Sequence, residues 1–333
     1  MSFSIFASRL PQEYQDLAYQ EDSFCHAALS WLSIFKLDNV KNNTFMGSCE
    51  YPVRLHLIPY FGAMKTAEIS SSVVQAYFKE KKSQFALESL RRHRYCLKSI
   101  FDIAVDDGCI VRNPVTRRIK LSSDIPPIEK KTWSQEEAAL VWSFARKHKF
   151  GIDIMTLMET AISRSELLGL TWQDHDEKRA VLSIRNGLVV ARNPYSNQVE
   201  LIHDGLKNRF REREIPLSKE LNAALCIKRA ETEVRYSQKY VKHIFHAPEG
   251  GAYYPDSWYK RVLKEFMKSL NERHPEIPML TTHELRHTRA SVLINGNKNI
   301  FSVAALMGHG DLNMLRERYV HPDMNTMREN LGL

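Results

Sequence analysis

The stretch MGHGDLNMLRERYVHP, residues 307–322, places Tyr319 ten residues after His309. A helix over 311–319 would align Tyr319 with two leucines on one face. Tyr319 could therefore be a packed core residue whose hydroxyl finds a hydrogen-bond partner. Its hydroxyl could instead be a nucleophile, because tyrosine can form covalent intermediates. The other polar motifs of the chain bear on this choice.

The stretch TTHELRHTRASVLI, residues 281–294, holds the densest polar cluster of the sequence. On a helix that begins near Thr282, His283 and Arg286 lie one turn apart, so both side chains can converge on one ligand. A guanidinium beside an imidazole suits a phosphate, which can accept bidentate charge-assisted hydrogen bonds from the arginine. The alternative is a helix end capped by Thr282, with His283 and Arg286 in solvent.

The same letters also spell HExxH, the zinc-protease motif, with His283, Glu284 and His287. Arg286 would then place a permanent cation between two zinc ligands, and no well-placed residue supplies a third ligand. A phosphate ligand is therefore favoured. We expect no metal and no cofactor at this site.

The composition is that of a globular protein. The 333 residues suffice for two domains, with 43% hydrophobic and 26% charged residues. No apolar run approaches the roughly 18 residues of a membrane helix, and the N-terminal stretch, with a lone Arg9 followed by acids, is a poor signal peptide. The five cysteines are scattered without a CxxC pair, which suits a reducing cytoplasm.

The net charge of +8 favours an anionic partner, commonly nucleic acid, although charge alone fits a basic enzyme of another kind equally well. Residues 1–50 hold three Lys/Arg against six Asp/Glu, whereas residues 79–120 hold eleven against five. Basic residues that recur on helices and loops are typical of a surface that follows phosphates. The candidate DNA contacts are Arg91, Arg92, Arg94, Lys98, Arg117, Arg118, Arg209 and Arg211.

Hydrophobic periodicity predicts a mainly α fold with a small antiparallel sheet, an α+β arrangement. Helices are predicted over 22–37, 43–58, 70–82, 87–107, 134–148, 150–160, 218–231, 256–273, 283–295, 300–307 and 311–319. Strands are predicted over 180–184, 187–192, 198–203 and 213–217. Thr132 or Ser134, followed by two glutamates, is typical of the cap of the helix over 134–148.

A polar segment with a Pro-Pro pair, residues 120–137, contains the best candidate for an interdomain linker. We expect four regions along the chain: an N-terminal tail over 1–19, a helical domain over 20–122, a linker over 123–132 and a second, mixed domain over 133–333. No further domain is expected ahead of these.

Three motifs in order resemble the tyrosine recombinase (phage integrase) family. The signature of that family is His-x-x-Arg, then Gly-His, then a nucleophilic Tyr that is usually followed by x-His. The matching residues of this chain are His283 with Arg286, His309, and Tyr319 with His321.

The resemblance continues upstream and spans roughly residues 22–322. SELLGLTWQD, residues 165–174, is similar to the first catalytic box of the family. LKNRFREREIPL, residues 206–217, is similar to the hairpin that carries its catalytic lysine. The resemblance implies an integrase of a mobile element, with a helical core-binding domain followed by a catalytic domain.

The resemblance also implies roles for individual residues. Tyr319 would attack the scissile phosphate and form a 3′-phosphotyrosine with release of a 5′-hydroxyl. Arg286, His283 and His309 would stabilise the charge on the non-bridging oxygens, and Lys207 would protonate the departing 5′-oxygen. Lys207 could instead be one more phosphate contact beside the arginines of its hairpin.

One position departs from the family pattern. The first box normally reads Thr-Gly-x-Arg-x-Ser/Gly-Glu, whereas this chain reads TAISRSE over residues 160–166, so Ser163 occupies the position of the first catalytic arginine. Arg164 is the next residue, about 100° away around a helix. Either that guanidinium is missing, naturally or by engineering, or Arg164 substitutes for it.

The resemblance implies double-stranded DNA core sites as substrate and a homotetramer on paired sites, with no membrane partner. An accessory directionality factor could act with it, and the location would be cytoplasmic and nucleoid-associated. Two alternatives stay open. One is a catalytically weakened DNA-binding regulator of the same fold, supported only by Ser163; the other is a type IB topoisomerase-like nicking-closing enzyme.

Overall fold

A computed structural model describes residues 2–205, 211–296 and 298–308. The chain divides into two compact units, Met1–Glu129 with Ala191–Glu200, and Lys130–Val190 with Leu201–Leu333. The first unit thus includes residues 191–200, which differs from the contiguous domains that the sequence predicts. Within that unit the Arg9 guanidinium donates to the carbonyl oxygen of Pro194 at 2.7 Å. No local sequence pattern reveals a pairing between residues so far apart in the chain.

The first unit is helical. Its helices are α1 (Ser2–Ala7), α2 (Gln12–Gln15), α3 (Phe24–Ser30), α4 (Asn42–Thr44), α5 (Ile58–Phe61), α6 (Ser71–Lys81) and α7 (Leu87–Asp106). On α7, Leu90, Leu97, Ile100 and Phe101 are buried in the core of the unit. The predicted amphipathic helix over 87–107 is therefore confirmed.

The N-terminal segment differs from the tail predicted over 1–19. It forms α1 and α2, and Phe6, Leu10 and Ala18 are buried in the core of the first unit. Phe6 lies on α1 and Leu10 in the turn that follows it, so both the helix and the turn carry apolar side chains into that core. Each helix is too short for its periodicity to stand out in the sequence.

A buried histidine gives the first unit a predictable response to acid. His93 on α7 is 3% exposed, and its Nδ1 lies 2.8 Å from the hydroxyl of Tyr77. Burial, with smaller contributions from His56 and Lys81, lowers the pKa of His93 from 6.5 to about 4. Between these values the unfolded chain binds a proton that the folded unit does not. The part of the stability that depends on a neutral His93 is therefore fully present above the unfolded pKa, and it is lost as the pH falls toward the folded pKa.

We expect the unfolding free energy of the first unit to fall by about 2 kcal/mol when the pH is lowered from about 7 to about 5, because His93 stays neutral in the folded unit. His93→Asn, which keeps a polar atom near the Nδ1 position, should remove that part of the pH dependence. Amide hydrogen exchange in α7, converted to opening free energies at both pH values, measures it. The same pH dependence in variant and wild type would contradict the assignment.

The elements after residue 134 combine helices with two small sheets. The helices are α8 (Gln135–Ala145), α9 (Gly151–Thr160), α10 (Arg164–Gly169), α11 (Lys219–Arg235), α12 (Pro255–Trp258), α13 (Lys264–Arg273), α14 (Thr282–Asn295) and α15 (Ile300–Met307). The strands are β1 (His175–Asp176), β2 (Val181–Ile184), β3 (Asn186–Arg192), β4 (Val199–Gly205) and β5 (Arg213–Pro216).

The strand pairing confirms the predicted small antiparallel sheet in a mainly α fold. The order β1-β2-β5 is antiparallel, with Leu182 opposite Ile215, and β3 pairs with β4. Both residues of that register pair are buried in the core of the second unit. Among the described residues, no helix is long and apolar enough to cross a bilayer.

Helix caps decide where two of these helices begin. Ser134 caps α8, and Glu137 completes a capping box with it, which resolves the predicted choice between Thr132 and Ser134. The short α10 was not predicted as a helix. Its six residues are fewer than a periodic pattern needs, so only its cap signal was present in the sequence.

Candidate active site

Arg286 lies between the ends of two helices. Its side chain, on α14, is buried; Nη1 donates to the carbonyl oxygen of Ala161 at 2.7 Å, and Nη2 donates to that of Met307. Ala161 follows α9 with a φ of 53°, and Met307 ends α15. These carbonyls lie where helices leave acceptors free and favour a cation. The guanidinium thereby joins the segment leading to Ser163 with the segment leading to His309.

Ser163 is the N-cap of α10. Its backbone N–H donates to Oε2 of Glu166 at 2.7 Å, and the Glu166 N–H donates to the Ser163 Oγ at 3.3 Å. These reciprocal bonds form a capping box. The Ser163 hydroxyl also donates to Oε2 at 2.9 Å. The residue at the position of the first catalytic arginine therefore has a structural role in this chain.

Glu166 is a buried carboxylate that attracts two arginines. It is 1% exposed; its Oε1 accepts from Arg213 Nη1 at 3.0 Å, and its Oε2 lies 3.7 Å from Arg286 Nη1. Burial alone would raise the pKa of Glu166, but the charge and hydrogen bond of Arg213 hold it below its ordinary value. Burial lowers the pKa of Arg286 to about 10, so Arg286 stays protonated at neutral pH. Two guanidinium groups and one carboxylate leave a net positive charge, which favours an anion nearby.

Two histidines meet on α14. Nε2 of the exposed His283 lies 2.9 Å from Nε2 of the buried His287, with the rings edge to face. One of these nitrogens must carry the proton that the other accepts, so the contact orients the His283 ring. His283 and Arg286 stand one turn apart on a helix, as the sequence predicts.

Glu284 belongs to the cap of α14. The N-cap is Thr281 rather than the predicted Thr282, because only Thr281 stands three residues before Glu284. The Thr281 N–H and hydroxyl each donate to Glu284 Oε2 at 2.8 Å. The cap therefore uses the carboxylate that an HExxH protease would need as a base. Over the described part of the chain, no group of three or more His, Cys, Asp or Glu side chains is arranged to hold a metal ion.

A family comparison identifies this arrangement. The model of the phage integrase family matches residues 138–326, more than half of the chain. The chain belongs to the phage integrase family. The matched region contains every catalytic position that the sequence analysis proposes.

Relatives of this chain include proteins of mobile elements. It is 27% identical to the transposase from transposon Tn916 of Enterococcus faecalis, over 71% of this chain and 59% of the relative. It is 24% identical to a XerC-like tyrosine recombinase of Caldanaerobacter subterraneus, over 78% of this chain and 68% of that protein. The chain thus matches less than two thirds of the length of the Tn916 transposase.

Solved structures share the fold. The integrase of transposon Tn1549, in complex with a circular intermediate DNA, superposes with a TM-score of 0.77 at 23% identity, over 93% of this chain and 98% of that one. A lambda integrase tetramer bound to a Holliday junction gives a TM-score of 0.60 at 14% identity, over 90% and 80% of the two chains. The predicted fold class is confirmed by these likenesses.

Four of the predicted site residues lie outside the described residues. They are Tyr319, His309, Lys207 and Arg209. The helix predicted over 311–319 lies there too. Their roles stay predictions from the family motifs. The described chain reaches Gly308, whose φ of 65° ends α15 in the left-handed conformation that glycine favours.

Arg164 lies apart from the Glu166 cluster. Its Nη1 donates to the carbonyl oxygen of Pro255 at 3.4 Å and lies 3.5 Å from the carboxylate of Asp256, at the beginning of α12. About a third of its side chain is exposed. The geometry therefore favours a missing first arginine over a replacement by Arg164.

The predicted DNA contacts of the first unit lie on α7 and just after it. Exposed residues among them are Arg91, Arg92, Lys98, Arg117 and Arg118, while Arg94 is half-buried. Arg91, Arg94 and Lys98 line one cavity of about 540 Å³. Lys98 pairs with Asp102 at 2.6 Å in an exposed ion pair. Such pairs contribute little to stability, so a phosphate can replace the acid at small cost.

Sequence reasoning missed Arg213 as a member of the site and included it only in the segment over residues 206–217. Its side chain is 8% exposed and lies against Glu166. One signal was available: Arg213 and Ile215 stand at i and i+2 on β5, so they point to the same side of the strand. Ile215 is buried in the core of the second unit. The predicted contact Arg211 is half-buried, and its carbonyl oxygen accepts from Arg213 at 2.7 Å.

Proposed function

We propose that this integrase is a site-specific recombinase that cleaves and rejoins DNA strands through a 3′-phosphotyrosyl intermediate, for integration and excision of a mobile element. The observation that carries the proposal is the buried, net positive cluster of Glu166, Arg213 and Arg286. It is built where the segments leading to Ser163 and His309 meet. A preorganised cation at that point can stabilise the negative charge that develops on the phosphate in the transition state.

The reaction balances without an external energy source. The Tyr319 hydroxyl attacks the scissile phosphorus and loses its proton, the bond to the 5′-oxygen breaks, and Lys207 protonates that oxygen. Arg286, His283 and His309 hold the non-bridging oxygens. The phosphotyrosine conserves the phosphodiester energy, so attack by another 5′-hydroxyl reverses the steps and frees Tyr319.

The partners follow from this chemistry. The substrate is double-stranded DNA, which the exposed cations of α7 would hold through its phosphates. Exchange of four strands needs four active sites, so we propose a homotetramer on paired sites, with an accessory directionality factor as a further partner. The lambda integrase tetramer on a Holliday junction supports this arrangement by its shared fold. An enzyme that acts on DNA in this way would be cytoplasmic and associated with the nucleoid.

The second candidate is a DNA-binding regulator with the same fold and weakened catalysis. Ser163 favours it, because one of two expected guanidinium groups is absent from its position and the serine is engaged in a helix cap. The buried Arg286 and its neighbours count against it, since binding DNA does not require a buried charged cluster that costs desolvation.

Covalent trapping separates the two candidates. The wild-type chain is incubated with a nicked duplex that spans one end of the element carrying its gene, so that cleavage releases a short strand and religation fails. The recombinase should leave an adduct on the 3′-phosphate that resists SDS and disappears with protease, while the released strand carries a free 5′-hydroxyl. DNA binding without any adduct would support the regulator.

Binding itself should depend steeply on salt, because several Lys and Arg side chains displace counterions from phosphates. Each contact removed should reduce the slope of log affinity against log salt by about 1. Arg117→Gln on the predicted surface should show this reduction. Lys65→Gln is the matched control, since Lys65 is 63% exposed in the same unit but is not a predicted contact. A flat wild-type salt dependence would contradict the phosphate-tracking surface.

A further inference from the structure

Arg213 connects three segments, each of which leads to a predicted catalytic position. Its Nη1 donates to Glu166 at 3.0 Å and to the carbonyl oxygen of Arg211 at 2.7 Å, and its Nε donates to the carbonyl oxygen of Leu306 at 2.7 Å. Glu166 follows Ser163 by three residues, and Leu306 precedes His309 by three. Arg211 follows Lys207 by four residues.

The contact with the His309 segment is close. A Cβ placed on Gly308 would lie 3.0 Å from Arg213 Nη1 and 3.3 Å from its Cζ. The guanidinium therefore packs directly against the residue before His309. Arg213 contacts this segment twice, through the hydrogen bond to Leu306 and through packing against Gly308. A movement of Arg213 would therefore shift the segment.

Stability alone does not account for Arg213. Its Nη2 is buried and finds no hydrogen-bond partner over the residues the structure describes, so the fold bears an unused donor. Buried ion pairs are often replaceable by apolar side chains without loss of stability. The cluster also has more positive charge than its carboxylate can neutralise, which is unfavourable for folding and useful for a phosphate.

We propose that Arg213 is a positioning residue of the active site, which fixes the Glu166 carboxylate, the backbone at Arg211 and the end of α15 at Leu306 relative to one another. It acts through these groups and does not itself react. The proposal rests on the recombinase function proposed above.

Arg213→Lys tests the proposal, because lysine keeps the charge beside Glu166 but cannot reach three acceptors. Misplacement of reacting groups by about 1 Å costs on the order of 10²-fold in rate. We therefore expect single-turnover cleavage at saturating protein to fall about 10²-fold, with DNA affinity unchanged. Arg179→Lys is the matched control: Arg179 pairs with Glu214 on the same strand, but its side chain is 58% exposed. This control should cleave at the wild-type rate.

Thermal unfolding and circular dichroism establish that each variant is folded at the assay temperature. If Arg213→Lys does not fold, the single variant Arg213→Gln replaces it, since Glu166 then keeps its ion pair with Arg286 at 3.7 Å. It should show the same loss of rate at unchanged affinity. A folded variant that cleaves as fast as wild type, or that loses rate and affinity equally, would overturn the positioning role. Absence of an adduct with the wild type would instead refute the recombinase proposal.

Discussion

Tyr319→Phe should abolish covalent attachment to DNA while leaving DNA binding nearly intact. Only a hydroxyl is lost, and the cations that hold the phosphates are unchanged. The expected fall in cleavage is on the order of 10⁶-fold, the size seen when an enzyme loses its nucleophile. The nicked-duplex assay measures the adduct by gel electrophoresis in SDS, and a mobility shift without SDS measures binding.

Tyr240→Phe is the matched control for this experiment. Tyr240 is 71% exposed in the second unit and has no predicted role, so its variant should form the adduct at the wild-type rate. A Tyr319→Phe protein that still gave a protease-sensitive adduct would disprove the assignment of the nucleophile. If both variants lost DNA binding, the loss would reflect misfolding, and the prediction that Tyr319→Phe keeps its DNA binding would be wrong.

The helix that bears His283 and Arg286 was predictable because its pattern is local. The cap signal, the apolar spacing and the polar letters all lie within residues 281–294, and the structure begins the helix one residue from the predicted position. The predicted spacing of His283 and Arg286 on that helix is confirmed for the same reason. A pattern confined to one helix is enough to predict the spacing of residues along that helix.

The partners of Arg286 and Arg213 were not predictable in this way. Arg286 donates to Ala161, 125 residues away, and Arg213 donates to Leu306, 93 residues away. Such contacts depend on how the helices pack, and neither arginine carries a sequence signal that names its acceptor. The same holds for the first unit, where residues 191–200 join a domain that precedes them by some sixty residues of chain.

The second large effect is expected at Ser163, which occupies the position of the first catalytic arginine in the family motif. Ser163→Arg should raise the single-turnover cleavage rate by roughly 10²–10³, because one donor to the transition state typically contributes about 2.7–4 kcal/mol. DNA affinity should change little, since many other cations hold the backbone. The substitution also removes the N-cap of α10, which should lower the unfolding free energy by about 1 kcal/mol.

Two further variants separate the causes. Ser163→Ala removes the same cap without adding a guanidinium, so it should lose stability and gain no rate. Arg164→Ala should change the rate little, because the Arg164 side chain lies at the beginning of α12 beside Asp256 rather than beside Glu166. If Ser163→Arg brings no gain and Arg164→Ala brings a large loss, then Arg164 supplies the guanidinium and the interpretation of Ser163 as a missing donor is wrong. A gain confined to Ser163→Arg would show that the proposed cleavage reaction is slowed by one absent cation while the remaining site is competent.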